Sequence, residues 1–181
     1  MAEGGVAAFH GAFSDLFFAV RRARTPISAA RGSDSPSLAE ILEREGERVA
    51  AVIVEPILQG AGGMLISPPE FLAEIRRETA RYGIPLIADE IFTGFGRTGR
   101  MFSCEHAGIS PDLLCVSKAL TGGYLPLAAT LANEAIYEAF LSQDRGKTFF
   151  HGHSFTGNAL SCAVALESLA LFDDDDRLGR V

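Results

Sequence analysis

Two charged side chains stand at the ends of apolar runs. Ile84-Pro85-Leu86-Ile87-Ala88 stops at Asp89-Glu90, and Leu113-Leu114-Cys115-Val116 stops at Ser117-Lys118. Runs of this kind read as buried strands, and in open α/β sheets the carboxyl ends of strands border the crevice where ligands bind. An amine and a carboxylate brought together there suit one chemistry: a lysine that forms a Schiff base with a carbonyl, and an acid that keeps a pyridine nitrogen protonated. Each also has a bland reading. A lysine after a strand is an ordinary exposed end residue, and an aspartate there is an ordinary turn former or cap. What sets the pair apart is shared placement, at one edge of one sheet, each before a glycine-rich loop.

The elements that must position them follow from the pattern of the chain. Ser37 to Glu47 carries Leu38, Ile41 and Leu42 among charged residues and reads as a short amphipathic helix. Val49 to Val54 is uninterruptedly apolar, the signature of a strand buried on both faces, and it stops at Glu55-Pro56 before the loop Gly60-Ala61-Gly62-Gly63. Ser67, Pro68 and Glu70 have the spacing of a capping box, which predicts a helix from Pro68 to Tyr82 ended by Gly83. Its inner face is Phe71, Leu72, Ile75, Thr79 and Tyr82, with Glu74, Arg76, Arg77 and Arg81 toward water. Residues 49–88 thus form a strand–helix–strand unit expected to be parallel and right-handed. Thr93 to Arg100 is too rich in glycine for regular structure and reads as a loop at the crevice, its arginines available to an anion.

Beyond Lys118 and Thr121-Gly122-Gly123 the chain suggests a strand over Leu125–Leu131, near an edge because of Pro126. A helix capped by Asn133 runs to Leu141, and a polar loop spans Gln143 to Lys147. Ala159 to Phe172, apolar nearly all round, reads as a buried helix, followed by the acidic run Asp173–Asp176. Residues 1–36 are turn-rich, with Leu16–Val20 alone resembling a strand. There is no internal repeat and no interdomain linker.

Composition narrows the class of function. The 181 residues, 48% hydrophobic, can build one globular core, and the formal net charge of −7 argues against a nucleic-acid surface. The densest basic patch, Arg21-Arg22-Ala23-Arg24, reads as a solvated strand end or loop. No apolar run approaches the ~18 residues that a membrane span needs, and Met1-Ala2-Glu3-Gly4-Gly5 is unlike a signal peptide, so a cytoplasmic protein without membrane partners is expected. Cys104, Cys115 and Cys162 form neither a disulfide framework nor a zinc motif. Cys104-Glu105-His106 and His151-Gly152-His153 lack the further ligands that a metal site requires, and no metal is expected.

Several separated segments, in order, resemble one family. Val54-Glu55-Pro56 with Gln59–Gly63, then Ala88-Asp89-Glu90-Ile91, Thr93-Gly94-Phe95-Gly96-Arg97-Thr98-Gly99, Ser117-Lys118-Ala119-Leu120-Thr121-Gly122-Gly123 and His151-Gly152-His153-Ser154-Phe155-Thr156-Gly157-Asn158 are similar to the class III, fold-type I pyridoxal phosphate aminotransferases. Within that class they most resemble the branch that converts 8-amino-7-oxononanoate to 7,8-diaminononanoate in biotin synthesis; other class III enzymes, acting on ω-amines or amino acids, are the alternative. The resemblance covers residues 4–181. It implies an α/β fold, the central part of a large domain with a mostly parallel sheet flanked by helices, and pyridoxal 5'-phosphate as cofactor. Lys118 would be the Schiff-base lysine and proton shuttle, and Asp89 the partner of the pyridine nitrogen. Ser154 would bind the cofactor phosphate from the neighbouring subunit of a homodimer, beside His153, which stands where many relatives have proline. Gly152 would meet the substrate through its backbone. Arg97 would serve the substrate carboxylate or the entrance, or merely its own loop, and Glu55 the floor of the site. The implied reaction takes nitrogen from a small amino donor, S-adenosylmethionine or lysine, and gives it to the keto acceptor.

Members of the family are much longer. Their amino-terminal segment, with the phosphate-binding turn and the aromatic residue that stacks on the pyridine, and their carboxyl-terminal small domain have no counterpart in residues 1–181, which read as a partial large domain. The chain alone is therefore expected to bind cofactor poorly and to have little or no activity; a non-catalytic truncated product is the competing reading.

Overall fold

The computed structural model describes residues 19–174 and 177–180. Leu16–Phe18 of the suggested early strand and Asp175-Asp176 of the acidic run lie outside them, and Ala19-Val20 have no regular structure. The elements are α1 (Pro26–Ala30), α2 (Leu38–Glu45), β1 (Val52–Val54), β2 (Leu58–Gln59), β3 (Leu65–Ile66), α3 (Pro69–Tyr82), β4 (Leu86–Asp89), β5 (Leu113–Val116), β6 (Ala129–Ala132), α4 (Glu134–Glu138) and α5 (Ala159–Asp174). Short 3-10 turns lie at Ser103–Ala107 and Lys118–Thr121. A four-stranded sheet has the order β1-β4-β5-β6, and β2 and β3 form a separate antiparallel pair.

The sheet is mostly parallel, as expected: β1 pairs β4 and β4 pairs β5 in parallel, with Val54 opposite Ala88 and Asp89 opposite Cys115. Helix α3 is the crossover between β1 and β4. Between β4 and β5 no α-helix intervenes; the connection is the glycine-rich loop and the Ser103–Ala107 turn. Strand β6 returns antiparallel to β5, Val116 opposite Ala129. It begins at Ala129 rather than Leu125, because the preceding residues bend around the Lys118 turn: Thr121 Oγ1 donates to Leu125 O at 2.6 Å and Ser117 Oγ to Leu127 O at 2.6 Å.

The core is built where α3 and α5 meet the sheet. Leu72, Ala88 and Cys104 are buried together with Val54, Ile57 and Leu114 around them, and Val116, Leu120 and Ala165 form a second cluster with Phe95, Phe102 and Leu169. Leu72 is 2% exposed; truncation of such a leucine to alanine costs about 2–5 kcal/mol. Gly83 closes α3 with φ 65, the left-handed conformation that glycine adopts without strain.

Five local expectations are corrected. The Ser67 capping box does not form: Pro68 is the cap residue and makes no side-chain bond, because the Ser67 N–H is drawn to Ile57 O at 2.7 Å as the chain leaves the β2–β3 hairpin. Arg76 is not a solvent residue; its side chain is 28% exposed and donates to Asp112. Strand β1 is not buried on both faces, since it lies at the edge of the sheet and Ile53 is 40% exposed. Helix α5 is covered on one side only, with Ala165 and Ser161 buried while Leu160 is 72% and Leu166 69% exposed. Helix α4 ends at Glu138, before Leu141. Helix α1, unforeseen in the turn-rich start, is made by Thr25 and Ser28, whose side chains cap each other's backbone.

Asp112 fastens the amino end of the sheet. Oδ2 accepts from Arg76 Nη1 of α3 at 2.5 Å and from Leu86 N of β4 at 2.8 Å, and Oδ1 accepts from Asn133 Nδ2 at 2.9 Å. Asn133 in turn caps α4, its Oδ1 accepting from Ile136 N. Burial alone would raise the Asp112 carboxyl, but the bonds from Leu86, Arg76 and Asn133 outweigh it and hold the group below the usual carboxylate range. A lowered carboxylate contributes stability above its unfolded value, about 3.9, which is lost as pH falls through the lower folded value. Asp112→Ala should therefore cost about 2 kcal/mol at pH 7, measured by urea unfolding, and the difference from the parent should shrink once the pH falls below about 3.9.

Candidate active site

The parallel register places three strand ends side by side. Glu55 follows β1, Asp89 ends β4, and Lys118 lies two residues past β5. The Glu90 N–H donates to Cys115 O at 2.9 Å, so the two central strands are still joined where Asp89 leaves the sheet. Asp89 is half-buried and its Oδ1 accepts from Ile91 N at 3.1 Å. Its Oδ2 takes no hydrogen bond among the described residues, leaving an acceptor for a ligand. Lys118 opens the 3-10 turn with φ 43, a conformation that side-chain-bearing residues rarely adopt and that collects at functional sites. Its side chain is exposed, and Nζ lies 4.8 Å from the centroid of the Phe92 ring, with no ion pair among the described residues.

The loop after Asp89 is organised by a carboxylate that sequence reasoning passed over. Glu90 is fully buried. Its Oε2 accepts from Thr93 Oγ1 at 2.5 Å and its Oε1 from Cys104 N at 2.8 Å, which satisfies both oxygens inside the loop. Gly94 packs so closely that a β-carbon would come 2.9 Å from Glu90 O, which only glycine permits. Thr98 Oγ1 and Ser103 Oγ are 2.8 Å apart, and His106 Nε2 is 2.9 Å from Thr98 O. Burial beside Glu90 pushes the Cys104 thiol well above its usual range. In sequence Glu90 looked like a second charge at a strand end; its three-residue spacing from Thr93 was the available signal.

The remaining expected site residues divide. Glu55 Oε2 accepts from Gly60 N at 2.9 Å, tying the end of β1 to the hairpin tip. Arg97 donates from Nε to Phe92 O at 2.5 Å, and its guanidinium carbon sits 4.4 Å from the Phe92 ring centroid. Arg97 and Lys118 thus share one aromatic ring. Gly152, His153 and Ser154 belong to a stretch, residues 137–157, that is exposed throughout. The bonds of His153 are local: its N–H donates to Thr156 Oγ1 at 3.0 Å and its Nδ1 accepts from Phe155 N at 3.1 Å. No hydrogen bond or ion pair joins Gly152 or Ser154 to Lys118 or Asp89 among the described residues. No group of three potential metal ligands occurs among these residues, and no described helix is long and apolar enough to cross a membrane.

The family model for aminotransferase class-III matches residues 7–181. The chain belongs to the class III aminotransferases. Among relatives of this aminotransferase chain, the adenosylmethionine-8-amino-7-oxononanoate aminotransferase of Geobacter sulfurreducens is 47% identical over 190 residues, covering 98% of this chain and 42% of the relative. The solved structure of the Methanocaldococcus jannaschii enzyme of that name superposes with TM-score 0.89 at 36% identity, over 99% of this chain and 41% of that one. A PLP-bound amine transaminase from an uncultivated Pseudomonas species has TM-score 0.72 at 40% identity, over 77% of this chain and 32% of its own. The aminotransferase chain thus spans well under half the length of these relatives.

Exchange of Glu90 for glutamine would leave one N–H₂ group facing a donor in a dry loop. Glu90→Gln is expected to destabilise the chain by about 1–3 kcal/mol in thermal or urea unfolding. In the parent, a thiol reagent at pH 8 should modify Cys115 and Cys162, which are half-buried, before Cys104, which reacts only on unfolding.

Proposed function

We propose that this chain is the portion of a pyridoxal phosphate-dependent aminotransferase large domain that supplies its lysine and its acid. The whole protein would convert 8-amino-7-oxononanoate to 7,8-diaminononanoate in biotin synthesis. The observation that carries the reading is the pairing of 47% identity over 98% of the chain with Lys118 and Asp89 at neighbouring strand ends. The donor set fits the cofactor: an unpartnered carboxylate oxygen on Asp89 for a pyridinium N–H, and an accessible primary amine on Lys118 for an aldehyde.

When bound, pyridoxal phosphate supplies a carbonyl that condenses with amines and a ring that accepts electrons. The chain's own residues do the rest. Lys118 Nζ would hold the aldehyde group of the cofactor and, as a free amine, would carry a proton to and from the donor's Cα. Asp89 Oδ2 would accept from the ring nitrogen and would keep it charged, an electrostatic contribution of the kind worth about 10²–10³ in rate. The buried Glu90 fixes the loop that follows Asp89, through Thr93 and Cys104. Glu55, through Gly60 N, shapes the floor, and Arg97 stands at the entrance on Phe92.

Ser154 and His153 are assigned to the cofactor phosphate of a second copy, and Gly152 to substrate. Their exposed stretch, with Phe149 65%, Phe150 84% and Phe155 74% exposed, supports a homodimer in which these residues meet the partner's site. A cytoplasmic location agrees with this metabolic role. Much of the phosphate cradle and the substrate-carboxylate site would come from parts of the whole protein beyond residues 1–181, so weak cofactor binding and little activity are expected of this chain by itself.

Spectroscopic titration with pyridoxal phosphate tests the assignment. The whole gene product should develop a visible absorbance band that Lys118→Ala abolishes, and the 181-residue chain should develop it only at higher cofactor concentration. A band that survives Lys118→Ala would refute the role of Lys118. Asp89→Asn should retain cofactor but lower kcat with 8-amino-7-oxononanoate by about a hundredfold or more, assayed with S-adenosylmethionine and with lysine as donors.

A further inference from the structure

Phe92 joins three segments that carry the site. A β-carbon on Gly60, at the hairpin tip held by Glu55, would approach its ring to 3.1 Å, so that the loop backbone lies against one part of the ring. Arg97 grips the same residue twice, through its hydrogen bond to Phe92 O and by the guanidinium 4.4 Å from the ring centroid. Lys118 Nζ lies 4.8 Å from that centroid. An exposed ammonium on a flexible four-carbon stem would ordinarily sample many rotamers in water. The ring quadrupole attracts it, which biases the population toward the ring by about two- to fivefold. The left-handed φ of 43 at Lys118 fixes the direction in which the stem leaves the backbone.

We propose that Phe92 is a positioning residue for Lys118: its ring is the seat on which the lysine ammonium rests before a carbonyl ligand arrives. Gly60 and Arg97 hold the seat still. The ring keeps Nζ at the mouth of the crevice, beside the end of β4, instead of swung into solvent. When Lys118 leaves the ring, Arg97 remains bonded to Phe92 O, so the loop does not relax with it. This inference rests on the reading of Lys118 as the amine that takes up pyridoxal phosphate.

Lys118 and Lys147 are the only lysines in the sequence, which makes the test clean. The cofactor-free chain is reductively methylated with ¹³C-formaldehyde, and the dimethylammonium signals of the two lysines are compared by NMR. The Lys118 methyls are expected upfield of those of Lys147 through the ring current, with nuclear Overhauser contacts to the Phe92 ring protons. Phe92→Leu should move them to the Lys147 position, whereas Phe92→Tyr should keep the displacement. Absence of the Overhauser contact in the unmutated chain overturns the proposal, whether or not Phe92→Leu folds, and so does an unchanged shift in a folded Phe92→Leu. In a second arm on unmethylated protein, the Lys118 ammonium must leave the ring and lose its proton before the amine attacks the aldehyde, so Phe92→Leu should take up pyridoxal phosphate about two- to fivefold faster than the parent, with Phe92→Tyr restoring the slower rate; equal rates overturn the hold of the ring on Lys118. If the Overhauser contact is present but the whole gene product takes up no cofactor at Lys118, the functional reading fails and the seat stands.

Discussion

The parallel pairing of β4 with β5 is the constraint on which everything else depends. Because both strands run the same way and Asp89 lies opposite Cys115, their last residues emerge at one edge, and the chain need travel only three residues past Cys115 to reach Lys118. A register slip of one residue would turn Asp89 to the other face of the sheet. The bond from Glu90 N to Cys115 O continues the ladder one step past the strand and leaves little room for such a slip. The Glu90 side chain then performs a second task. A fully buried carboxylate is tolerable only when its oxygens are bonded, and Thr93 and Cys104 bond both. The loop closes around that requirement, and Phe92, Arg97 and the Ser103–Ala107 turn take their places from it.

Strands β4 and β5 were legible because continuous apolar runs end in charged residues, and α3 because its apolar spacing ends at Gly83. Asp89 and Lys118 could be read as a pair because both signals come from chain order alone. The misreadings have physical causes of another kind. Ser67 has the spacing of a cap but is held by Ile57 across a hairpin whose strands, two residues each, are too short to show any periodicity. Arg76 lies on the polar side of α3 and is drawn inward by an aspartate distant in sequence. Ile53 and the outer side of α5 are apolar yet exposed, and composition cannot reveal which side of an apolar element has a neighbour. The meeting of Phe92 with Arg97, Lys118 and Gly60 depends on three loops converging, which no local pattern encodes.

Exposed apolar surface is concentrated on one part of the sequence. From Tyr124 through Leu166 the chain presents Tyr137, Phe140, Leu141, Phe149, Phe150, Phe155 and Leu160 to solvent, while Glu90, Thr93 and Ser103 are buried in the loop. Polar groups inside and aromatic groups outside invert the usual arrangement, and both lie within the residues that the family model matches. The buried polar groups hold a loop rigid at the site. The exposed aromatics form apolar surface of the kind that marks an interaction site.

The clamp at Asp112 gives the sheet two unlike ends. Its three side-chain bonds gather α3, β4 and the cap of α4 at the amino ends of the strands, whereas Glu55, Asp89 and Lys118 stand at the carboxyl ends. Mechanical security and chemical opportunity are thereby separated by the length of a strand. Residues around the crevice can diversify without loosening the fastening that holds the layer together, whereas a change at Asp112 threatens the scaffold on which the strand ends are displayed.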